Sequence, residues 1–253
     1  MKKKAMIFAA GMGTRLRPLT DRCPKALIEV AGKTMLERLI MKLKASGFDE
    51  IVVNVHHLAD RIIDFIAAND NFGITVHISD ERNELLETGG GLQRAAPFFA
   101  NDRQGFLVHN VDILSNCNLT ELMNDHREHQ ALATLLVSSR RTDRYLLFDE
   151  ANRLHGWIDK KTGATKPAAF AYREGKYREY AFAGIQAVAP AIYDILPAGK
   201  YSIIDFYLAR CRSLEIRGFV ANKLMFLDIG KPETLAEAER FIQALQAGPS
   251  AQL

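Results

Sequence analysis

Residues 8–27 read FAAGMGTRLRPLTDRCPKAL, a turn-rich and basic segment that directly follows an apolar run. An apolar run that stops at a glycine is typical of a buried parallel strand. The loop after the first strand of such a sheet lies at the edge where ligands bind. Gly11 and Gly13 let backbone N–H groups approach an anion closely, and Arg15 and Lys25 add positive charge. The segment therefore predicts a phosphate-binding loop.

Two common phosphate loops do not fit this segment. A dinucleotide-binding fingerprint needs GxGxxG, and Leu16 stands at its third glycine. A Walker A loop needs GxxxxGK[ST]; residues 32–34 supply its end, but Leu27 replaces its first glycine. Thr34 is better explained as the cap of a helix, because Glu37 follows it in a capping-box pattern.

Strand-like and helix-like segments alternate up to about residue 137. Strands are predicted at residues 5–10, 51–55, 74–78 and 105–109, and helices over 34–47, over 58–68 and from near 89. This order predicts a right-handed, doubly wound, Rossmann-like α/β fold with a mixed sheet. Further strands are predicted at 145–148, 153–157, 180–188, 215–220 and 224–227, and helices at 202–211 and 232–246. We expect one domain over residues 1–246 and a disordered tail over residues 247–253.

Net charge, cysteine content and hydrophobic segments narrow the possible partners and location of the protein. A net charge of +3 over 253 residues gives no strong field for nucleic acid or a membrane surface. Cys23, Cys117 and Cys211 are scattered and odd in number, which favours a reducing compartment over a disulfide framework. No signal peptide or membrane span is predicted, so we expect a cytoplasmic monomer or small homo-oligomer.

Two aspartates follow buried strands and are candidate metal ligands. Asp112 ends the segment LVHNVD, and Asp228 lies in MFLDIG. Transfer of a phosphoryl-type group needs a divalent metal, and Mg²⁺ prefers one or two carboxylates together with water and substrate oxygens. Taken singly, each aspartate also suits a turn or a helix cap.

The opening segment resembles the signature of the sugar-1-phosphate nucleotidyltransferases. Residues 9–20, AAGMGTRLRPLT, and then Pro24-Lys25 are similar to that family's [LF]AAGxGTRLxPLT followed by PKP; Ala26 replaces the second proline. The resemblance extends to about residue 240 and implies the nucleotide-diphospho-sugar transferase fold. It implies that Lys25 neutralises the α-phosphate under attack. The triphosphate-binding residues it implies are Ala10, Gly11, Gly13, Thr14 and Arg15.

The same resemblance assigns roles to residues later in the chain. Asp112 and Asp228 match the family's two Mg²⁺-binding aspartates, although Val111 replaces a glycine and Phe226 a tryptophan. The cluster ETGGG at residues 87–91 matches the region that contacts the base and ribose. The remaining implied contacts are Thr88, Gly89 and Asn110 for the nucleotide, and Asn54 and Gly184 for the sugar. A bulged strand explains Gly184 equally well.

The resemblance implies transfer of a nucleoside monophosphate from a nucleoside triphosphate to a hexose 1-phosphate, with release of pyrophosphate. The ETGGG form looks like the uridylyltransferases that act on N-acetylmuramate 1-phosphate, so UTP is favoured. Mannose-1-phosphate guanylyltransferases are close in pattern. Three rivals stay open: a non-catalytic protein that binds nucleotide sugars, a cytidylyltransferase for phosphocholine, and a P-loop NTPase.

Overall fold

The structure is a computed structural model that describes residues 2–99, 104–168 and 170–247. Its strands are β1 Lys4–Phe8, β2 Glu29–Val30, β3 Lys33–Thr34, β4 Glu50–Val55, β5 Thr75–Asp80, β6 Phe106–Asn110, β7 Ile113–Ser115, β8 Ala133–Ser138, β9 Arg144–Phe148, β10 Leu154–Asp159, β11 Thr165–Lys166, β12 Arg178–Val188, β13 Ile216–Val220 and β14 Phe226–Asp228. Its α-helices are α1 Leu19–Arg22, α2 Met35–Ala45, α3 Ala59–Ala68, α4 Glu87–Arg94, α5 Ala96–Phe99, α6 Leu119–Glu128, α7 Ile203–Arg210 and α8 Pro232–Ala247.

The described chain divides into two compact units that interleave along the sequence. The first unit comprises residues 2–85, 109–117 and 223–247, and the second comprises 86–99, 104–108, 118–168 and 170–222. The single domain predicted over residues 1–246 stays a prediction. Of the tail predicted over residues 247–253, only Ala247 is described, as the last residue of α8. Residues 248–253 lie outside the described residues.

The first unit contains a parallel sheet in which β4 lies between β1 and β5. Ala5 is opposite Ile51, and Ile51 is opposite Val76. The middle of β1 and most of β4 are buried, as the continuous apolar runs predict. The α2 helix begins at a cap in which the Thr34 side chain accepts a hydrogen bond from Glu37 N. The predicted capping box is therefore confirmed on the threonine side.

The first unit also contains a short antiparallel pair that joins distant parts of the chain. Strand β7 pairs with β14, and Leu114 lies opposite Leu227. Strand β7 directly follows Asp112, and β14 ends with Asp228, so each strand positions one of the two candidate metal-binding aspartates. The pairing therefore sets the relative position of the two segments.

In the second unit, β8 pairs with β12 on one side and with β13 on the other. The β8–β12 pair is antiparallel, and the β8–β13 pair is parallel. Strand β12 also pairs with β9, which forms an antiparallel hairpin with β10. The register of β8 and β12 shifts between Phe182 and Gln186, where β12 contains Gly184.

The α/β prediction is confirmed, with differences at particular elements. The sequence alone does not predict β8 as a strand, because a short apolar run does not distinguish strand from helix by its periodicity. The strand predicted at 224–227 begins two residues later, at Phe226, and includes Asp228. Among the described residues, no helix is long and apolar enough to span a membrane.

Candidate functional site

The predicted phosphate loop folds back on itself through Gly13. The Gly13 carbonyl oxygen accepts hydrogen bonds from Leu16 N at 2.8 Å and from Thr20 Oγ1 at 2.8 Å. Gly13 has φ 63°, in the left-handed region that favours glycine. A Cβ atom at this position would lie 2.7 Å from Thr20 Cγ2. Backbone conformation and close packing therefore both require glycine at position 13.

Lys25 leaves the same loop and contacts Asp112 with its ammonium group. It begins a 3₁₀ turn directly after the extended residue Pro24, and its Nζ donates to Asp112 Oδ2. The two side chains are only 10% and 18% exposed. Charges so little exposed to water interact more strongly than a surface pair. Ala26, which replaces the second proline of the family motif, is fully buried in this turn.

The two aspartates predicted to bind metal lie on adjacent segments. Asp228 pairs across the β7–β14 ladder with Ile113, the residue after Asp112. Ile229 N donates to the Asp112 carbonyl oxygen at 3.0 Å. The structure therefore brings together two residues that are far apart in the sequence.

Arg15 lies beside Asp228. A Cβ atom built on Gly230 would be 2.7 Å from Arg15 Nη2 and 2.8 Å from Asp228 Oδ1, so both groups border the same point. Gly230 N also donates to Asp228 Oδ1 at 2.8 Å. A side chain at position 230 would displace the guanidinium, the carboxylate or both.

The donor set suits a hard divalent cation. Asp112 and Asp228 offer carboxylate oxygens from adjoining segments, and Mg²⁺ needs only one or two such ligands besides water and substrate oxygens. Within the described part of the chain, no group of three or more His, Cys, Asp or Glu side chains is placed to hold a metal.

Val111 and Asn110 precede Asp112 in the first unit. The Val111 side chain is buried, and its N–H donates to Phe8 O at 3.1 Å. Valine in place of the family's glycine is thus accommodated in the core. Asn110 ends β6 half-buried, and its carbonyl oxygen lies 2.8 Å from His109 Nδ1.

Asn54, predicted to contact the sugar, has its side chain engaged within the protein. Its Oδ1 accepts from Ala9 N and Ala10 N, and its Nδ2 donates to Glu81 Oε1. The Ala10 N–H therefore points at Asn54. The sequence does not predict a role for Glu81, which lies three residues past the end of the strand predicted at 74–78 and directly follows β5 in the structure.

The glycine cluster in α4 belongs to the second unit and has neighbours there. A Cβ atom on Gly89 would lie 2.2 Å from the Tyr201 ring, and one on Gly90 would lie 2.1 Å from Gly199 O. Gly89 N donates to Tyr201 O at 2.8 Å. The chain itself therefore packs closely against this backbone. The Thr88 hydroxyl accepts from Ile203 N at 3.0 Å, at the start of α7.

Gly184, also in the second unit, has φ 74° within the register shift of β12. A bulge of this kind commonly places a glycine in the left-handed region. The bulged-strand explanation is therefore present in the structure. A role in sugar binding stays a prediction, as do the roles of Thr88 and Gly89.

Three basic side chains, one half-buried and two buried, have displaced pKa values. Burial lowers the pKa of Lys42 to about 8, although its Nζ donates to Ser115 O at 2.7 Å. Burial and the nearby Lys42 charge lower the pKa of His109 to about 3. Burial also lowers the pKa of His126 to about 4; its Nδ1 lies 3.0 Å from Thr134 Oγ1. Desolvation favours the neutral form of each group.

The chain is similar to known proteins in sequence and in structure. A sequence model of the family described as "Nucleotidyl transferase" matches residues 4–244. The chain is 30% identical over 247 residues to N-acetylmuramate alpha-1-phosphate uridylyltransferase from Caulobacter vibrioides, covering 94% of this chain and 96% of that one. It is 36% identical over 136 residues to mannose-1-phosphate guanyltransferase from Gibberella zeae, covering 53% of this chain and 37% of that one. The solved inositol-1-phosphate CTP transferase from T. maritima superposes with a TM-score of 0.76 at 16% identity, covering 98% and 97% of the two chains.

Proposed function

The chain belongs to the Nucleotidyl transferase family, and from that premise we propose that it transfers uridine monophosphate from UTP to a hexose 1-phosphate such as N-acetylmuramate 1-phosphate. Pyrophosphate is the second product. The observation that carries this proposal is the contact of Lys25 with Asp112 at the end of the glycine loop, beside the segment that holds Asp228. Cationic and acidic groups from three parts of the chain converge there.

In the proposed reaction, an oxygen of the sugar phosphate attacks the α-phosphorus of the triphosphate. A bond forms between these atoms, and the bond from the α-phosphorus to the bridging oxygen of pyrophosphate breaks. A phosphate monoester is already anionic near neutral pH, so no general base has to activate it. The protein must instead align two anions and offset their charge, and alignment alone can contribute about 7–11 kcal/mol in favourable cases.

Different residues of the first unit bind the triphosphate and neutralise its charge. The backbone of Gly11, Gly13 and Thr14 binds the triphosphate, and Arg15 adds a guanidinium beside Asp228. Lys25 places its ammonium against the α-phosphate and exchanges the Asp112 carboxylate for phosphate oxygens. Preorganised charges of this kind are the main electrostatic contribution to phosphoryl transfer.

Asp112 and Asp228 would together hold Mg²⁺. The ion, when bound, supplies positive charge that the phosphate oxygens share. The support for this assignment is the adjoining position of the two aspartates and the preference of Mg²⁺ for carboxylate oxygens.

UTP and N-acetylmuramate 1-phosphate are favoured by the relative from Caulobacter vibrioides, which this chain matches over nearly its whole length. The second candidate is guanylyl transfer to mannose 1-phosphate, favoured by the higher identity over the shorter match to the Gibberella zeae enzyme. A non-catalytic nucleotide-sugar-binding protein would have no need for Lys25 and both aspartates.

Pyrophosphate release tests these candidates directly. The purified protein is assayed with each of the four common nucleoside triphosphates against N-acetylmuramate, mannose, glucose and inositol phosphates, with Mg²⁺ present. The proposal predicts the highest kcat/KM for UTP with N-acetylmuramate 1-phosphate. A preference for GTP with mannose 1-phosphate would support the second candidate, and no release with any pair would contradict both.

A further inference from the structure

Two buried side chains from neighbouring strand ends hold the start of the glycine loop. Asn54 lies near the end of β4, Glu81 directly follows β5, and each is 2% exposed. Asn54 Oδ1 accepts from Ala9 N at 2.7 Å and from Ala10 N at 3.2 Å. Its Nδ2 donates to Glu81 Oε1 at 2.8 Å. The contacts form a chain from β5 through β4 to the residues that follow β1.

The polarity of this chain is fixed by the backbone. The two N–H groups can only donate, so the Asn54 carbonyl oxygen must face them and its NH₂ group must face Glu81. The carboxyl group of Glu81 then accepts that NH₂ and prevents the amide from rotating. Each atom of the Asn54 amide group therefore has a defined partner.

The contacts meet a need created by the end of β1. Strand β1 ends at Phe8, and Ala9 and Ala10 are buried beyond it. Buried N–H groups without a partner cost free energy, so a side chain must replace the strand pairing that has stopped. Asn54 does this where the chain turns toward Gly11. The direction in which the loop leaves the sheet is set at this point.

We infer that Asn54 and Glu81 are a positioning pair for the phosphate loop, and that Asn54 does not contact the sugar. This inference rests on the proposed function, because it concerns the loop assigned to the triphosphate. Neither side chain touches substrate. They act through Ala9 and Ala10, which fix the path of the following residues. His56 adds a further tie, because its Nδ1 lies 2.7 Å from Glu81 O.

Reversing the polarity of the pair tests the inference. Asn54→Asp places a carboxylate against Glu81, and one group must move away or take up a proton. Glu81→Gln keeps both the volume and the acceptor oxygen. In the double variant Asn54→Asp/Glu81→Gln, the glutamine NH₂ donates to the new carboxylate, which still accepts both backbone N–H groups. The assay is run at about pH 8.5, where a shared proton is least favoured.

The measurements are KM for each substrate and the free energy of unfolding in urea, for wild type and the three variants. We expect Asn54→Asp to raise KM for the triphosphate by about tenfold or more, because the start of the glycine loop is displaced. A tenfold rise corresponds to about 1.4 kcal/mol. KM for the sugar phosphate should be unchanged, Glu81→Gln should match wild type, and the double variant should recover most of the loss.

Three results would overturn the inference. A double variant as impaired as Asn54→Asp would show that the two residues are not coupled. A rise of KM confined to the sugar phosphate would show that Asn54 contacts the sugar. Lower stability with both KM values unchanged would reduce the pair to a structural role. The unfolding measurements need no substrate, so failure of the proposed reaction would be seen separately, as absent pyrophosphate release by wild type.

Discussion

Replacement of Gly13 by alanine should destabilise the protein through two separable effects. The first is backbone strain, because φ is 63° and an L-residue in that region costs about 1–2 kcal/mol. The second is a clash, because the new Cβ would lie 2.7 Å from Thr20 Cγ2. Thr20 is buried and its hydroxyl is bonded to Gly13 O, so it cannot swing away. Overpacking of this kind costs about 1–3 kcal/mol.

Thr20→Ser separates the two effects. Serine removes the Cγ2 methyl group but keeps the hydroxyl that donates to Gly13 O. In a double-mutant cycle measured by urea unfolding, Gly13→Ala should cost less in the Thr20→Ser background, by the clash contribution of about 1–3 kcal/mol. The remaining cost should be the strain together with the contact to the Cβ atom of residue 20, at 3.3 Å, which serine keeps. Equal destabilisation by Gly13→Ala in both backgrounds would refute the assignment of the clash to Thr20.

Gly11→Ala is the matched control in the same loop. Gly11 is exposed, a Cβ atom added to it would have no heavy atom within 4 Å, and its φ is outside the left-handed region. We expect the free energy of unfolding of this variant to stay within about 0.5 kcal/mol of wild type. Its KM for the triphosphate should nevertheless rise, because the side chain narrows the approach to the backbone. A large loss of stability in Gly11→Ala would contradict this distinction.

Three other substitutions test separate contacts. Lys25→Met should lower kcat by about 100-fold or more, because it removes a positive charge that stabilises the transition state. The circular dichroism spectrum should be unchanged. A wild-type rate would exclude Lys25 from the mechanism. His126 has a folded pKa of about 4, so the unfolded state binds more protons than the folded state below about pH 6.5, and stability falls toward pH 4. His126→Asn should flatten this part of the pH–stability curve. An unchanged slope would show that His126 is not the group responsible. Lys42 has a folded pKa of about 8, so its burial as an ammonium lowers stability below that pH, and stability recovers as pH rises from about 8 to 10.5. Lys42→Met should therefore raise the Tm at pH 7 and remove the gain in stability at alkaline pH. A lower Tm would show that the hydrogen bonds of Lys42 outweigh its desolvation.

The residues predicted from the sequence share a local signal. The loop, Lys25 and the two aspartates each follow a strand or lie in a short motif, and ends of parallel strands meet at one edge of a sheet. Their residue types also match the chemistry of phosphate and Mg²⁺. Asp112 and Asp228 lie on adjoining segments because β7 pairs with β14, a pairing that no periodicity indicates. The family resemblance implied only that both aspartates bind Mg²⁺.

The features that the sequence did not predict depend on register and on close packing. The Asn54–Glu81 contact exists because three strands align so that one amide reaches two backbone N–H groups. The glycines of α4 fit against Tyr201 and Gly199, which are distant in sequence, so ligand contact was the more visible explanation. Side-chain geometry of this kind follows only from the folded chain.

Divalent-cation binding in the presence of a saturating nucleoside triphosphate tests whether Asp112 and Asp228 share one ion. Mn²⁺ titration followed by electron paramagnetic resonance gives stoichiometry and affinity for wild type, Asp112→Asn and Asp228→Asn. We expect both substitutions to weaken the same site, each by about tenfold or more, because loss of a metal-binding carboxylate should cost at least as much affinity as loss of an outer hydrogen-bond partner of a ligand. Unchanged affinity in either variant, or two sites each sensitive to only one substitution, would contradict a shared ion.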